Sequence, residues 1–445
     1  MDRNTDRRRA ILLLGGSPDQ CALIHAARAL GLVSVVVDRD PAAPGLALAD
    51  HAAAVSTRDV PGLIALCRAL RDGGVPLAGV CVMGSDIPHV VSAVAHAFGW
   101  VGPTPETAEL ATHKRRMRER LRAVGVATPR FRAVRDADDA RTFWDEQGCA
   151  AVVLKPVDQA GSRGVRVVAD RAGLDAALAD ARATGTQEVL VEEYVAGPQV
   201  STETLLTEGR SATPGFADRN YDDTRAFHPR VLENGGWMPS TLPEATRRAV
   251  CDLVERGARA LGIVRGVAKG DVVVHPERGP LLIEMAARLG GGDFAASLVP
   301  LSSGVDYLPS ALRIALGEEP DWSALAPRRA RAVVNRYLFP PSGRLEALRG
   351  VDEVRSWPEV RKVELFVSQG ELLPEITHHG ARAGVFVVEA EDRAHADAVA
   401  ARAYDTLAFR IDGRWRSLRP ATALTSPALR PSREDGGEAP RRRTA

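Results

Sequence analysis

Apolar residues along this chain fall into two patterns: short unbroken runs bounded by glycine, and helical stripes between them. The stretch at 266–292, GVAKGDVVVHPERGPLLIEMAARLGGG, carries the first pattern most clearly. Its apolar runs at 272–274 and 281–283 flank Pro276-Glu277-Arg278-Gly279, which reads as a buried hairpin. With those four residues as the loop, His275 pairs with Pro280, Val273 with Leu282, and Asp271 with Glu284. The two carboxylates are then cross-strand neighbours with Cβ atoms ~5 Å apart. Their repulsion is about 3 kcal/mol at an effective dielectric of about 20. A hard divalent cation that shares its shell with phosphates offsets such a pair. Arg288 lies just beyond, with a planar fork suited to a carboxylate or phosphate. Gly290-Gly291-Gly292 is expected to let backbone approach a ligand closely. An ordinary hairpin with solvated acids satisfies the same pattern, and the sequence upstream separates the two.

Upstream, a strand at 10–14, the turn Gly15-Gly16-Ser17, a helix at 20–30 and a strand at 34–37 ending in Asp38 predict a parallel, doubly wound α/β unit. A helix at 61–71 and a strand at 79–83 follow, then Gly84-Ser85-Asp86 and a helix to Phe98. A turn of that kind after a strand sits where such sheets bind ligands, and capping the next helix is an equal use for the Asp. Gly102-Pro103-Thr104-Pro105 marks a boundary. A basic helix is predicted over 106–124 and contains Lys114. Next, a strand at 150–153 runs into Lys155-Pro156, then Gly161-Ser162-Arg163-Gly164, then a strand at 165–168. This reads as a flap whose backbone N–H groups cradle phosphate oxygens, or as a plain hairpin tip. Its spacing does not match a Walker-type P-loop. A helix over 170–183 and a strand at 189–191 lead to the linker 192–198, EEYVAGP, whose free backbone groups suit an adenine edge. A strand at 201–206 follows.

Composition narrows the class. The 445 residues carry a formal net charge of +1, which gives no nucleic-acid footprint and no preference for a membrane surface. Five cysteines are scattered singly without C-x-x-C, as expected of reduced thiols in a cytoplasmic protein. Arg7-Arg8-Arg9 with the short run at 11–14 falls short of an export signal, and no stretch reaches transmembrane length. The glycine fingerprint at 15–17 is incomplete, which counts against a nicotinamide-dependent enzyme.

Taken in order, Lys114, Lys155 with Gly161–Gly164, Glu192-Glu193-Tyr194-Val195, Glu203, Asp271, Glu284 and Arg288 resemble the ATP-grasp superfamily over roughly residues 10–412. The resemblance implies an α/β ATP-grasp fold in four segments: a Rossmann-like pre-ATP-grasp domain at 1–103, a lid at 104–188, a core with the metal site at 189–328 and a small C-terminal α+β domain at 329–412. Beyond it, Pro, Ser, Arg and Gly with few apolar residues predict a disordered tail at 413–445. The resemblance carries chemistry as well. It implies ATP and Mg²⁺ (or Mn²⁺) as cofactors. Lys114, Lys155, Gly161, Ser162 and Gly164 then hold phosphates, and Glu192, Glu193 and Val195 hold adenine. Glu203 is placed with them, Asp271 and Glu284 hold the metal, and Arg288 steadies an acyl phosphate. Gln199 stands where many members carry a ribose-binding Glu, and Ala286 where many carry an Asn metal ligand. The E-x-A-A-R pattern at 284–288 is similar to the L-amino-acid ligase branch.

The expected activity is an ATP-dependent carboxylate–amine ligase with an amino acid as one substrate. A carboxylase or purine-pathway-type ligase using bicarbonate or formate, and a nucleotide-binding protein without turnover, are the alternatives. Partners are then small-molecule acids and amines, with no nucleic acid and no membrane; the oligomeric state is left open, a homodimer being one option. Within 218–237, DRNYDDTRAFHPRVLENGGW, Arg230 and His228 are the expected contacts to substrate.

Overall fold

The structure, a computed structural model, describes residues 8–420. The arginine run at Arg7 and the expected tail from residue 421 onward lie outside the described residues.

β1 (Ala10–Leu14), β2 (Val33–Val37), β3 (His51–Ala53) and β4 (Leu77–Val82) form a parallel sheet in the order β3-β2-β1-β4. The unbroken apolar run of β1 follows from burial on both faces. Ile11 and Leu13 join a core with the helices Cys21–Ala29 and Leu308–Ala315. Ala10, Leu12 and Leu14 join the opposite core with Leu63 and Val90 from the helices Val60–Asp72 and Pro88–Phe98.

The basic segment expected as one helix is two, Pro105–Leu110 and Lys114–Ala123. The break puts Lys114 in the first turn of the second helix, where its N–H bonds to Val157 O at 2.8 Å. β5 (Phe131–Val134), β6 (Val152–Pro156), β7 (Arg166–Val168) and β8 (Val189–Glu193) make an antiparallel lid sheet in the order β5-β8-β6-β7. The helices Ala137–Gln147 and Leu174–Thr184 share its core. β8 pairs with both β5 and β6, so this strand, which lies past the expected boundary at 188, belongs to the lid sheet.

β9 (Gln199–Thr207), β10 (Arg210–Arg219), β11 (Gly236–Met238), β12 (Gly266–His275) and β13 (Gly279–Ala286) form the central strands. The C-terminal part adds β14 (Ala332–Tyr337), β15 (Gly343–Arg349), β16 (Val360–Leu365), β17 (Leu372–Leu373), β18 (Gly384–Ala390), β19 (Ala408–Ile411) and β20 (Arg414–Ser417). One antiparallel sheet runs β13-β12-β9-β10-β11-β14-β18-β16 and a second runs β17-β15-β19-β20. Trp237 pairs with Val334, so the expected boundary at 329 does not interrupt the main sheet. The C-terminal part still has its own core, from Ala332 to Leu418. β20 lies in the stretch assigned to the tail and pairs with β19.

The hairpin of β12 and β13 forms with a shorter loop than expected. His275 pairs with Gly279, Val274 with Pro280, Val273 with Leu281 and Val272 with Leu282. A bulge between Asp271 and Val272 then restores Asp271 opposite Glu284.

Candidate active site

A cleft of about 300 Å³ opens between the lid sheet and the main sheet. Lys114, Lys155, Gly161, Ser162, Glu192, Glu193, Val195, Gln199, Asp271, Glu284 and Arg288 all line it. They come from the lid, the hinge and the central hairpin.

At its lid end, Lys155 on β6 and Arg118 on the helix Lys114–Ala123 converge on Glu192 of β8. Arg118 Nε donates to Glu192 Oε1 at 2.8 Å, and Lys155 Nζ lies 2.5 Å from Oε2. All three side chains are buried. Burial opposes ionisation of Glu192, but Arg118 and Lys155 hold its carboxyl below the usual range. Burial pushes Lys155 down, against the pull of Glu192. Two cations on one carboxylate leave an excess positive charge in a dry site, which an anionic ligand complements. The carboxylate of Glu192 is thereby committed to protein, so an adenine contact there falls to backbone. Glu193 is committed likewise, to Arg130 and Arg278. Among the described residues nothing pairs with the N–H of Val195.

Lys114 Nζ lies 3.0 Å from Glu284 Oε1 and donates to Gln159 O. Asp271 accepts from Ser201 Oγ at 2.6 Å and from Lys269 Nζ at 2.6 and 2.5 Å, with Arg219 at 3.1 Å. Burial would raise its pKa, but Arg219 and Lys269 hold it well below the carboxylate range. The expected repulsion between Asp271 and Glu284 is therefore offset within the protein by three cations. No cluster of three or more His, Cys, Asp or Glu suited to a metal exists among the described residues. Two opposed carboxylates without a third fit Mg²⁺ or Mn²⁺ whose remaining ligands are phosphate oxygens and water.

Arg288 donates from Nε to Asp86 Oδ1 at 2.7 Å and from Nη1 to Leu289 O at 3.0 Å. Asp86, from the loop after β4, lines the cleft and through Arg288 joins the N-terminal unit to it. The glycine run after Arg288 serves a different purpose from the one expected. A Cβ on Gly291 would lie 2.8 Å from Gly84 Cα, so the close approach is protein to protein.

Four expected site residues lie elsewhere. Gly164 packs on the helix Leu174–Thr184, where a Cβ would lie 3.1 Å from Ala181 Cα, and it borders a separate hollow outside the flap. Arg230 also borders that hollow and pairs with Glu375 at 2.7 Å. His228 lines neither space. From the same polar segment, Arg219, Tyr221 and Val231 face the cleft instead. Arg230→Ala is therefore expected to leave substrate KM unchanged within about twofold in steady-state assays.

Glu203 is enclosed on β9, where it accepts from Gly290 N–H and Tyr307 Oη. Burial pushes its carboxyl up to about 7, against the lowering pull of those two bonds. A raised acid pKa means that the fold holds the proton more tightly than the unfolded chain. That stability is complete below the ordinary value of 4.5 and is lost as pH rises towards about 7. Glu203→Gln is expected to remove most of this loss, read as a smaller difference in urea-unfolding free energy between about pH 5 and about pH 8.

Sequence reasoning missed Arg118, Arg219, Tyr221, Lys269 and His379, all at or beside the cleft. The i,i+4 spacing of Lys114 and Arg118 and the i,i+2 spacing of Lys269 and Asp271 were the available signals.

Residues 149–296 match the ATP-grasp domain, and residues 336–412 match the L-amino acid ligase C-terminal domain 2. The chain is 29% identical over 414 residues to the uncharacterized protein y4rH of Sinorhizobium fredii, covering 91% of this chain and 83% of that one. It is 30% identical over 220 residues to a D-alanine–D-alanine ligase of Desulforudis audaxviator, covering 47% of this chain and 70% of that one. In fold it is similar to the crystal structure of L-amino acid ligase from Bacillus licheniformis, with a TM-score of 0.76 and 22% identity over 91% of this chain and 99% of that one. With the parallel N-terminal sheet, the lid and the cleft described above, the chain belongs to the ATP-grasp superfamily of carboxylate–amine ligases.

Proposed function

We propose that this ligase joins two small molecules, at least one of them an amino acid, through an acyl phosphate, with release of ADP and phosphate. The observation that carries the reading is the meeting of Lys114, Lys155, Asp271, Glu284 and Arg288 in one cleft. The match of the C-terminal part to the L-amino acid ligase domain supports the amino acid.

A carboxylate resists attack by an amine because oxide is a poor leaving group. Attack of a carboxylate oxygen on the γ-phosphorus of ATP expels ADP and gives an acyl phosphate. Attack of the amine on the acyl carbon then forms the amide and expels phosphate. Lys114 and Lys155 bind the nucleotide phosphates, and the excess charge around Glu192 is neutralised when they do. The flap Gly161-Ser162-Arg163 covers them, with backbone N–H groups that have no partner among the described residues. The hinge at Val195 receives adenine, and Gln199, which lines the cleft, receives the ribose. Asp271 and Glu284 would hold Mg²⁺ or Mn²⁺, which would offset the negative charge of the phosphates. Arg288, fixed by Asp86, orients the substrate carboxylate and then the acyl phosphate. Asp86 Oδ2 has no bond among the described residues, which supports a role as acceptor for the substrate ammonium.

The test is ADP release from Mg-ATP with single amino acids, with pairs of them, and separately with bicarbonate and formate, followed by mass spectrometry of the products. Amino-acid-dependent ADP with a matching amide is expected. Release with bicarbonate alone would reassign the chemistry to carboxylation, and no release from any acid–amine pair would sink the ligase reading.

A further inference from the structure

The flap over the cleft is tied down by the C-terminal part of the chain. His379 begins the short turn His379–Ala381 that precedes β18. Its main-chain N–H donates to Gly161 O at 3.0 Å. Its ring Nε2 lies 3.2 Å from Ser162 Oγ and accepts the N–H of Glu233 at 3.2 Å. One residue from β17–β18 therefore holds two consecutive flap residues and the polar segment opposite them.

The chemistry of these contacts sets their direction. The backbone N–H of Glu233 can only donate, so Nε2 is unprotonated and the ring proton sits on Nδ1. The Ser162 hydroxyl then donates to Nε2. Burial, with Arg382, Arg219 and Lys269 nearby and Asp271 opposing, keeps the ring neutral. The flap needs such support. Gly161, Ser162 and Gly164 all have positive φ, at 66°, 62° and 67°. Serine disfavours that region, and its own carbonyl accepts only a 3.3 Å bond, from Val165 N–H. A second tie, from Val167 N–H to Pro229 O at 2.8 Å, holds the far strand of the flap. The N–H groups of Gly161, Ser162, Arg163 and Gly164 have no partner among the described residues, so the flap is fixed while its donors stay open.

We propose that His379 is a positioning residue that latches the phosphate flap to the C-terminal part of the chain, so that this part completes the nucleotide site. The reading of the flap as a phosphate holder rests on the proposed function, but the latch itself is present without nucleotide. In the unlatched protein only a fraction of molecules presents a formed flap. Apparent affinity for ATP falls by that fraction, and water reaches the acyl phosphate.

The first test is hydrogen exchange of the full-length, ligand-free protein, read on the flap segment containing Val165 and Val167. His379→Ala is expected to speed exchange there by about tenfold or more, and His379→Gln to restore it, because its amide oxygen can accept from both Glu233 and Ser162. The second test is kinetic. His379→Ala is expected to raise KM for ATP by about tenfold and to release ADP in excess of amide, whereas a loss of fold lowers both in step. Ser162→Ala should reproduce the exchange effect and add little to His379→Ala in the double variant. Unchanged exchange in folded His379→Ala, or full additivity with Ser162→Ala, overturns the latch. If His379→Ala does not fold, unchanged flap exchange in Ser162→Ala overturns it. A wild-type protein that releases no ADP overturns the ligase reading instead, and the exchange result still stands on its own.

Discussion

Arg288→Ala is expected to lower kcat by about 10²–10³-fold, measured as amino-acid-dependent ADP release with the substrate pair identified by screening. The guanidinium is clamped through Nε by Asp86 and through Nη1 by the carbonyl of Leu289, while Nη2 has no partner among the described residues. A donor held on two sides is preorganised for the negative charge that grows as the acyl phosphate forms. Such a donor acts in the transition state more than in the ground state, so KM for ATP should move by less than about threefold. Arg288→Lys should recover little, because an ammonium cannot both hold Asp86 and present a planar fork. A kcat within about threefold of wild type would place the reacting carboxylate elsewhere.

Glu192→Ala is expected to cost about 3–5 kcal/mol of unfolding free energy, read by urea titration. The substitution leaves Arg118 and Lys155 buried together with no counter-charge at a site where Glu192 answers both, at 2.8 and 2.5 Å. Two like charges in a dry site are destabilising beyond the loss of either bond. Mg-ATP should recover part of the loss, because its phosphates supply the missing negative charge and ligand binding to the native state adds stability by mass action. A variant as stable as wild type would mean that the two cations find water or other acceptors, and the excess-charge account of the lid end would fail.

The N-terminal unit was legible because its strands are buried on both faces and read as continuous apolar runs. The opposition of Asp271 and Glu284 was legible from loop counting, although the bulge beside Asp271 was not. A one-residue error in the loop and a one-residue bulge cancelled. Lys114 and Lys155 reached the cleft as expected. Their partners Glu284 and Glu192 were named for metal and adenine, but the pairings themselves did not show, because they join residues far apart in the chain. Arg118 and Glu192 are 74 residues apart, and Ser162 and His379 are 217 apart. On a basic helix a buried arginine and a solvated one look alike until the acid is in place. In the polar segment at 218–237 the residues that line the cleft are not the two expected from sequence. Arg219 at the end of β10 and Tyr221 beside it face the cleft, while the turn Asp222–Phe227 carries the chain away, and Arg230 meets Glu375 outside. Continuity of the main sheet past residue 329 depends on pairing of β11 with β14, which no local pattern encodes.

Oxygen traced from substrate to phosphate distinguishes an acyl phosphate from every other route to the amide. The acid substrate is labelled with oxygen-18 in its carboxylate, turnover is run with Mg-ATP and the amine, and the released phosphate is weighed by mass spectrometry. Passage through an acyl phosphate transfers one labelled oxygen to each phosphate released with amide. Amide formation accompanied by unlabelled phosphate would contradict it.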